Sequence, residues 1–494
     1  MKVNFQASVA NRAWCVTCRR DWRQYRQALE HPLEAQQHVL GEILQSMQGS
    51  AVLPGKFEDL EPRNWSAFEP LLKRSAKGET GLFGRSAIRR FVPTSGSDSG
   101  SKWIPYNAML ERQFQRGIRA WVYEMFRCRP PLARGPAYWS ISPALPAQST
   151  PGGIPIGFDE DSAYLGGLGR KIVDRAMAVP ASIRSVRAND FQRSTLLLLL
   201  AQPELRLISV WSPTFLISLM NYYQDHRDEL HSELAAGTRV LGRVLQRQVH
   251  GNPWPKLGMI SCWTDGQASP WLEDLRQQFP GVAIQGKGLI ATEAFVSLPF
   301  GSQRPLAVTS HFLEFEFDDG RLCPVGDLKE GDEAVVVVTT GGGLLRYRLG
   351  DRIVVTGFEG NTPAIRFLGR QGRVSDRYGE KLSEAFVSKV LSQLGLSGFS
   401  LLAPDEKGYT LYTESAANAD HLERALQQNI HYHWAVSNGQ MRNARVCTVQ
   451  GNALQKYLAR CERRGQKLGD IKPVSLDLDS GWRRWFYPDG CERS

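Results

Sequence analysis

The chain has 494 residues, 42% hydrophobic and 22% charged, a profile that excludes a disordered or fibrous chain and allows more than one core. Sixty basic residues face 50 acidic ones, a net charge of +10; with no long basic block, the surplus suits anionic small substrates and no nucleic-acid partner is expected. The longest apolar run, Leu196 to Ala201, is far short of a membrane span, and no membrane association is expected.

Met1 to Gln6 lead into the charged region Arg12 to Arg26 without an apolar core, so no secretory signal is expected and a cytoplasmic location is. Of the eight cysteines only Cys15 and Cys18 form a C-x-x-C pair. No second pair or nearby histidine completes a zinc site, so reduced thiols are expected. Up to about Phe91 the pattern is helical. His31 and Pro32 break the chain, and Leu40, Ile43, Leu44 and Met47 mark the core face of a second helix.

Thr94, Ser95, Gly96, Ser97, Asp98 and Ser99, followed by Lys102, concentrate hydroxyls, glycine and a cation in one short stretch. Glycine lets successive N–H groups converge on an anion, hydroxyls add donors and lysine adds charge. The stretch reads as a phosphate loop, with a flexible connector as the plainer alternative. Leu110, Phe114, Ile118, Trp121, Val122 and Met125 predict a helix from Asn107, which would lead the loop towards a helix N-terminus. Ser101 before Lys102 breaks the Walker pattern, and Gly166, Gly167 and Gly169 lack the third glycine of a dinucleotide fingerprint.

Between about Tyr138 and Pro305, the apolar runs Arg206 to Trp211 and Leu257 to Trp263 alternate with helical patterns over Phe215 to Tyr223 and Trp271 to Phe279. This predicts an α/β layered domain on a largely parallel sheet. After Leu306, Leu313, Phe315 and Phe317 alternate with Glu314 and Glu316, and Ala334 to Thr340 and Ile353 to Phe358 add strands, predicting a small antiparallel sheet or barrel. Gly350 and Asp351 read as a turn that aims a carboxylate out of this sheet.

The polar stretch from Gly369 to Lys381 reads as a hinge. A compact α+β module is expected beyond it. Its elements are a helix over Ser383 to Leu394, strands over Phe399 to Ala403 and Tyr409 to Thr413, and one helix from Ala417 to Trp434. A strand over Ala444 to Val449 and a last helix from Ala453 to Arg463 complete it.

Thr94 to Gly100 with Lys102, Ala291 to Ala294, Tyr347 to Asp351, and Phe367 to Arg370 through Lys381 stand in the order and approximate spacing of one family. The chain resembles the auxin-responsive (Gretchen Hagen) acyl-acid amido synthetases over nearly its whole length. Tyr138 to Ser142, Trp211 to Phe215 and Phe279 to Leu289 look like the bacterial branch. The resemblance implies an adenylate-forming enzyme with an N-terminal domain at residues 1–369, containing a small antiparallel β subdomain at 306–369. A hinge at 370–382 and a mobile α+β lid domain at 383–494 would follow.

It also implies ATP and Mg2+. A carboxylic acid attacks the α-phosphate to give acyl-AMP and pyrophosphate, and an amine or amino acid then displaces AMP. Such steps need positioning and charge neutralisation more than a protein nucleophile. Carried over by match, Thr94, Ser95, Gly96, Ser97, Asp98, Ser99 and Lys102 would hold the phosphates. Ala291, Thr292 and Glu293 would lie beside the α-phosphate, with Glu293 on Mg2+, and Asp351 would clamp the ribose. Tyr347 or Phe367 would flank the nucleotide, with plain core as the alternative, and Arg370 would belong to the nucleotide site and begin the hinge. Lys472, in a loop like the family's lid loop but with Val474 where an arginine is usual, would enter during adenylation, with Lys467 as the alternative and Lys381 as a second phosphate-facing lysine. Tyr138, Trp139, Trp211, Phe215 and Tyr222 are wall material or plain core. A monomer acting on a small carboxylic acid and an amine is expected; transfer to a thiol such as coenzyme A, or nucleotide binding without catalysis, are the alternatives.

Overall fold

In the computed structural model the described residues are 2–94, 102–140, 148–157, 174–269, 271–370, 374–466 and 468–487. Helices α1 (Lys2–Ala28) and α2 (Pro32–Met47) open the chain. Pro32 sits in the first turn, where its missing N–H has no partner to lose. Ile43 and Met47 are buried, with Leu40 and Leu44 packed beside them.

Strand β1 (Arg90–Pro93) pairs antiparallel with β2 (Trp103–Tyr106), and the Thr94 N–H donates to the Lys102 carbonyl at 2.9 Å. A strand, β2, therefore stands between Lys102 and the helix towards which the serine-rich stretch is expected to lead. Ser95, Gly96, Ser97, Asp98 and Ser99 themselves fall outside the described residues. Helix α3 (Ala108–Cys128) follows β2, and its first free amides, Met109 and Leu110, donate to the Asn107 carboxamide. The helix caps itself, so those amides do not serve the loop. Leu110, Phe114, Trp121, Val122 and Met125 are buried. A Cβ on Gly117 would stand 2.6 Å from the Phe295 ring, so glycine is what lets that ring lie against α3.

Next come β3 (Ala137–Trp139), β4 (Leu207–Ser209), α4 (Pro213–Asp225), β5 (Met259–Cys262), α5 (Trp271–Gln278) and β6 (Ala283–Gly286). The four strands form an all-parallel sheet, β6-β5-β4-β3, so their carboxyl ends share one edge. In open α/β sheets that edge is where ligands bind.

The second sheet contains β7 (Phe312–Glu316), β8 (Leu322–Pro324), β9 (Glu333–Thr339), β10 (Tyr347–Glu359) and β11 (Thr362–Arg370). It is antiparallel, in the order β8-β7-β9-β10-β11, and takes the sheet form of the expected sheet or barrel. Gly350 and Asp351 do not form the expected turn. Both lie inside β10, where the register against β9 shifts and Gly350 takes φ 84°. A glycine inside a strand marks a bulge, and this one sets Asp351 opposite Arg370 of β11.

The C-terminal region holds α6 (Glu384–Gln393) and the sheet β12 (Ser400–Asp405), β13 (Gly408–Thr413) and β14 (Arg445–Thr448). The single helix expected over Ala417 to Trp434 is two, α7 (Ala419–Leu426) and α8 (Ile430–Ser437). The Asn429 carboxamide accepts from His431 and Tyr432 and starts a new helix there. Helix α9 (Ala453–Arg463) runs as expected. Ahead of α6, buried Glu380 accepts from the N–H groups of Arg377 and Tyr378 and from the Tyr409 hydroxyl of β13. Among the described residues no helix is long and apolar enough to cross a membrane.

Candidate active site

The loop after β6 turns back sharply, with the Ala291 N–H donating to the Ala294 carbonyl at 2.9 Å, and carries Thr292 and Glu293. The Tyr106 hydroxyl, at the end of β2, donates to the Thr292 carbonyl at 2.5 Å. Glu293 is 1% exposed, and its Oε1 has no hydrogen-bond partner among the described residues. A buried carboxylate oxygen in that state is costly unless something completes it.

The β10 bulge places Asp351 beside this turn, with Arg370 Nε 3.5 Å from its Oδ1. Lys102 Nζ donates to the Tyr347 hydroxyl at 3.3 Å. The Tyr347 ring is packed edge-on against Trp65 and Phe68, so it offers the site its hydroxyl, while the half-buried Phe367 keeps part of its ring accessible. Phe367 stands edge-on to Trp263 at 5.4 Å, and its N–H donates to Asp265 Oδ2, whose other oxygen accepts from Arg304 at 2.7 Å. From the C-terminal region Lys472 Nζ lies 4.6 Å over the Trp263 ring.

Burial pushes the Glu293 carboxyl above the usual carboxylate range; Arg370 opposes this, Asp351 adds to it and Lys102 opposes it. Burial likewise pushes Asp351 up, against the pull of Arg370, Lys472 and Lys102. Three cations thus act on two buried carboxylates, an arrangement with a surplus of positive charge for a polyanionic ligand.

Lys102, Glu293, Tyr347, Asp351, Arg370 and Lys472, far apart in sequence, therefore share one field, with Thr292 and Phe367 beside it. Thr94 closes the base of the hairpin. Lys467 lies outside the described residues. Lys381 is exposed, at φ 44°, with its carbonyl accepting from Asn429, and no described contact joins it to the cluster. Of the expected wall aromatics, Tyr138 and Phe215 are buried in the core and Tyr222 stacks on His226, whereas Trp139 and Trp211 face Lys287. The sequence reading missed Trp263, the Asp265–Arg304 pair and Lys287; the placing of Lys287 between Gly286 and Gly288 was its one local sign.

Residues 22–251 match the GH3 family N-terminal domain and residues 305–370 the GH3 family central domain. The putative indole-3-acetic acid-amido synthetase GH3.10 of Oryza sativa subsp. japonica is 23% identical over 411 residues, covering 76% of this chain and 82% of its own. The jasmonoyl-L-amino acid synthetase JAR4 of Nicotiana attenuata is 24% identical over 456 residues, covering 78% and 77%. The fold superimposes on the GH3.15 acyl acid amido synthetase with a TM-score of 0.81 at 17% identity, covering 94% and 95%. Lys102 falls in the first matched domain and Tyr347, Asp351, Phe367 and Arg370 in the second. With both domains present in order on this fold, the chain belongs to the GH3 family.

Proposed function

We propose that the protein is an ATP-dependent acyl-acid amido synthetase that activates a small carboxylic acid as its acyl-adenylate and transfers the acyl group to an amine or amino acid. The observation behind this is the pair of buried carboxylates, Glu293 and Asp351, set among Lys102, Arg370 and Lys472. It occurs in a chain whose relatives are named as acid-amido and amino-acid synthetases.

In this reading Thr94 to Ser99 and Lys102 hold the phosphates, and Asp351 accepts hydrogen bonds from the ribose hydroxyls, which its two oxygens suit. Phe367 flanks the nucleotide. Lys472 stabilises the charge that develops between the attacking carboxylate and the α-phosphate, and Lys381 remains a second phosphate-facing candidate. The partnerless Oε1 of Glu293 fits Mg2+. No cluster of three or more His, Cys, Asp or Glu suited to a metal occurs among the described residues, which accords with an ion held mainly by substrate phosphates and water. Bound there, Mg2+ would neutralise phosphate charge.

The proposal extends to a lid at residues 383–494 turning on a hinge at 370–382, and to the small β subdomain at 306–369 as part of the N-terminal domain. It includes membership of the bacterial branch, on the stretches beginning at Tyr138, Trp211 and Phe279, a monomeric enzyme and a cytoplasmic setting. The test is pyrophosphate release from ATP and Mg2+ over a panel of carboxylic acids, with and without pooled amino acids, followed by mass spectrometry. A product of mass acid plus amine minus water is expected. ATP bound without pyrophosphate release over a broad panel would overturn the reading.

A further inference from the structure

We propose that Lys287 selects the acyl substrate, and that the acid is a dicarboxylate whose second, unreacting carboxylate pairs with the Lys287 amine. This rests on the amido synthetase reading above. Lys287 follows directly on β6 and is 3% exposed. Its Nζ donates to Ser209 Oγ, the last residue of β4, at 2.6 Å. It stands 4.6 Å from the ring centre of Trp121, 5.1 Å from that of Trp211 and 5.7 Å from that of Trp139. Trp139 ends β3, Trp211 follows β4, and Cys262 beside the amine ends β5. The amine therefore sits at the shared carboxyl edge of the parallel sheet, the edge that binds ligands in such folds.

The box is fixed. The Trp121 indole N–H donates to Gln285 Oε1, which also accepts from the Ser261 hydroxyl. Trp121 is buried, whereas Trp139 and Trp211 are only half-buried, so the box has an accessible side. That side adjoins the adenylation cluster, because the Trp263 N–H donates to the Trp211 carbonyl at 2.9 Å and Lys472 lies over Trp263.

An ammonium has three donors, and among the described residues one fixed acceptor, Ser209 Oγ, is present; the rings offer only their weak negative faces. The thiol of Cys262, itself pushed up to about 12 by burial, gives no counter-charge. Burial brings the ammonium down to about 7, as expected of a cation with no carboxylate beside it among the described residues. A carboxylate entering between the half-buried indoles would supply the missing charge and two acceptors, leaving the other end of the same acid towards Lys472. A monocarboxylate would leave the amine as unsatisfied as before.

The test uses the full-length protein with the matched pairs pentanoate and glutarate, hexanoate and adipate, and benzoate and terephthalate, plus 6-hydroxyhexanoate as a neutral-acceptor arm. Two readouts run together: pyrophosphate release, and quenching of tryptophan fluorescence as a measure of binding. The wild type is expected to favour at least one dicarboxylate over its monocarboxylate about tenfold or more in both, as sites built around a polar partner do. Lys287→Met should abolish or reverse that preference. If Lys287→Met is not folded, Ser209→Ala, which keeps the amine but frees it, should weaken the preference about threefold or more. A wild type with no dicarboxylate preference, a preference that survives in the folded variant, or equal selection of 6-hydroxyhexanoate overturns the inference. Selective, Lys287-dependent binding without pyrophosphate release would overturn the synthetase reading and leave the binding site standing.

Discussion

Lys472 reaches both halves of the site: its Nζ lies 4.6 Å over Trp263 at the parallel sheet, and its charge acts on Asp351 in the β10 bulge. Lys472→Ala is expected to slow acyl-adenylate formation about 10²- to 10³-fold, the usual loss when one preorganised charge is removed. The side chain is exposed, so thermal melting should hardly change. Pyrophosphate release measures the first effect and calorimetry the second. Undiminished adenylation would transfer the role to Lys467.

Asp351 is 6% exposed and paired with Arg370. Asp351→Ala should weaken ATP binding about tenfold or more, the scale of losing a charged hydrogen-bond acceptor, with the far-ultraviolet circular dichroism spectrum retained. Titration calorimetry with ATP is the measurement. Unaltered affinity would discard the ribose-clamp role.

Folding brings Lys287 from its ordinary 10.5 to about 7. Between those values the unfolded chain keeps a proton that the folded chain has released, so this residue makes stability rise with pH across that window. Lys287→Met should accordingly melt higher than the wild type at pH 7, and the gap should narrow by pH 9. Cys262, the other titratable group facing the amine among the described residues, is held up to about 12 and stays a thiol there. A gap independent of pH would show that the amine is not desolvated.

Gly117→Ala would place a methyl 2.6 Å from the Phe295 ring, two residues beyond Glu293. Overpacking of this kind lowers stability by about 1–3 kcal/mol. Urea unfolding measures it, and adenylation should fall as well because Phe295 anchors the turn that carries Glu293.

Periodicity made part of each sheet legible, since short apolar runs separated by helical stripes and period-two alternation are local signals, whereas β3, β6, β8 and β11 escaped it. The Trp103–Tyr106 strand was not legible either, because four residues including a proline carry no alternation, and without it the serine-rich stretch seemed to lead straight into a helix. Gly350 signals either a turn or a bulge, and only the partner strand β9 decides which. Asn429 hid a helix boundary because an asparagine is tolerated inside a helical pattern. Lys287 was out of reach for another reason. Its three tryptophans come from α3 and from the ends of two strands, and no spacing along the chain announces that they converge. The charge cluster was legible residue by residue through family resemblance, but its balance of three cations on two buried carboxylates emerged only from the fold.

Glu380 fastens the segment before α6 to Tyr409 in the middle of the C-terminal sheet. The Tyr409 hydroxyl also meets Ser375 Oγ, and Val374 and Ser375 pair antiparallel with Ser383 and Leu382, so the whole stretch from Val374 to Ser383 is tied back onto that sheet. Loss of the one carboxylate at Glu380 would deprive two amides and a phenol of an acceptor together, so a single substitution there would unmoor the whole stretch at a stroke.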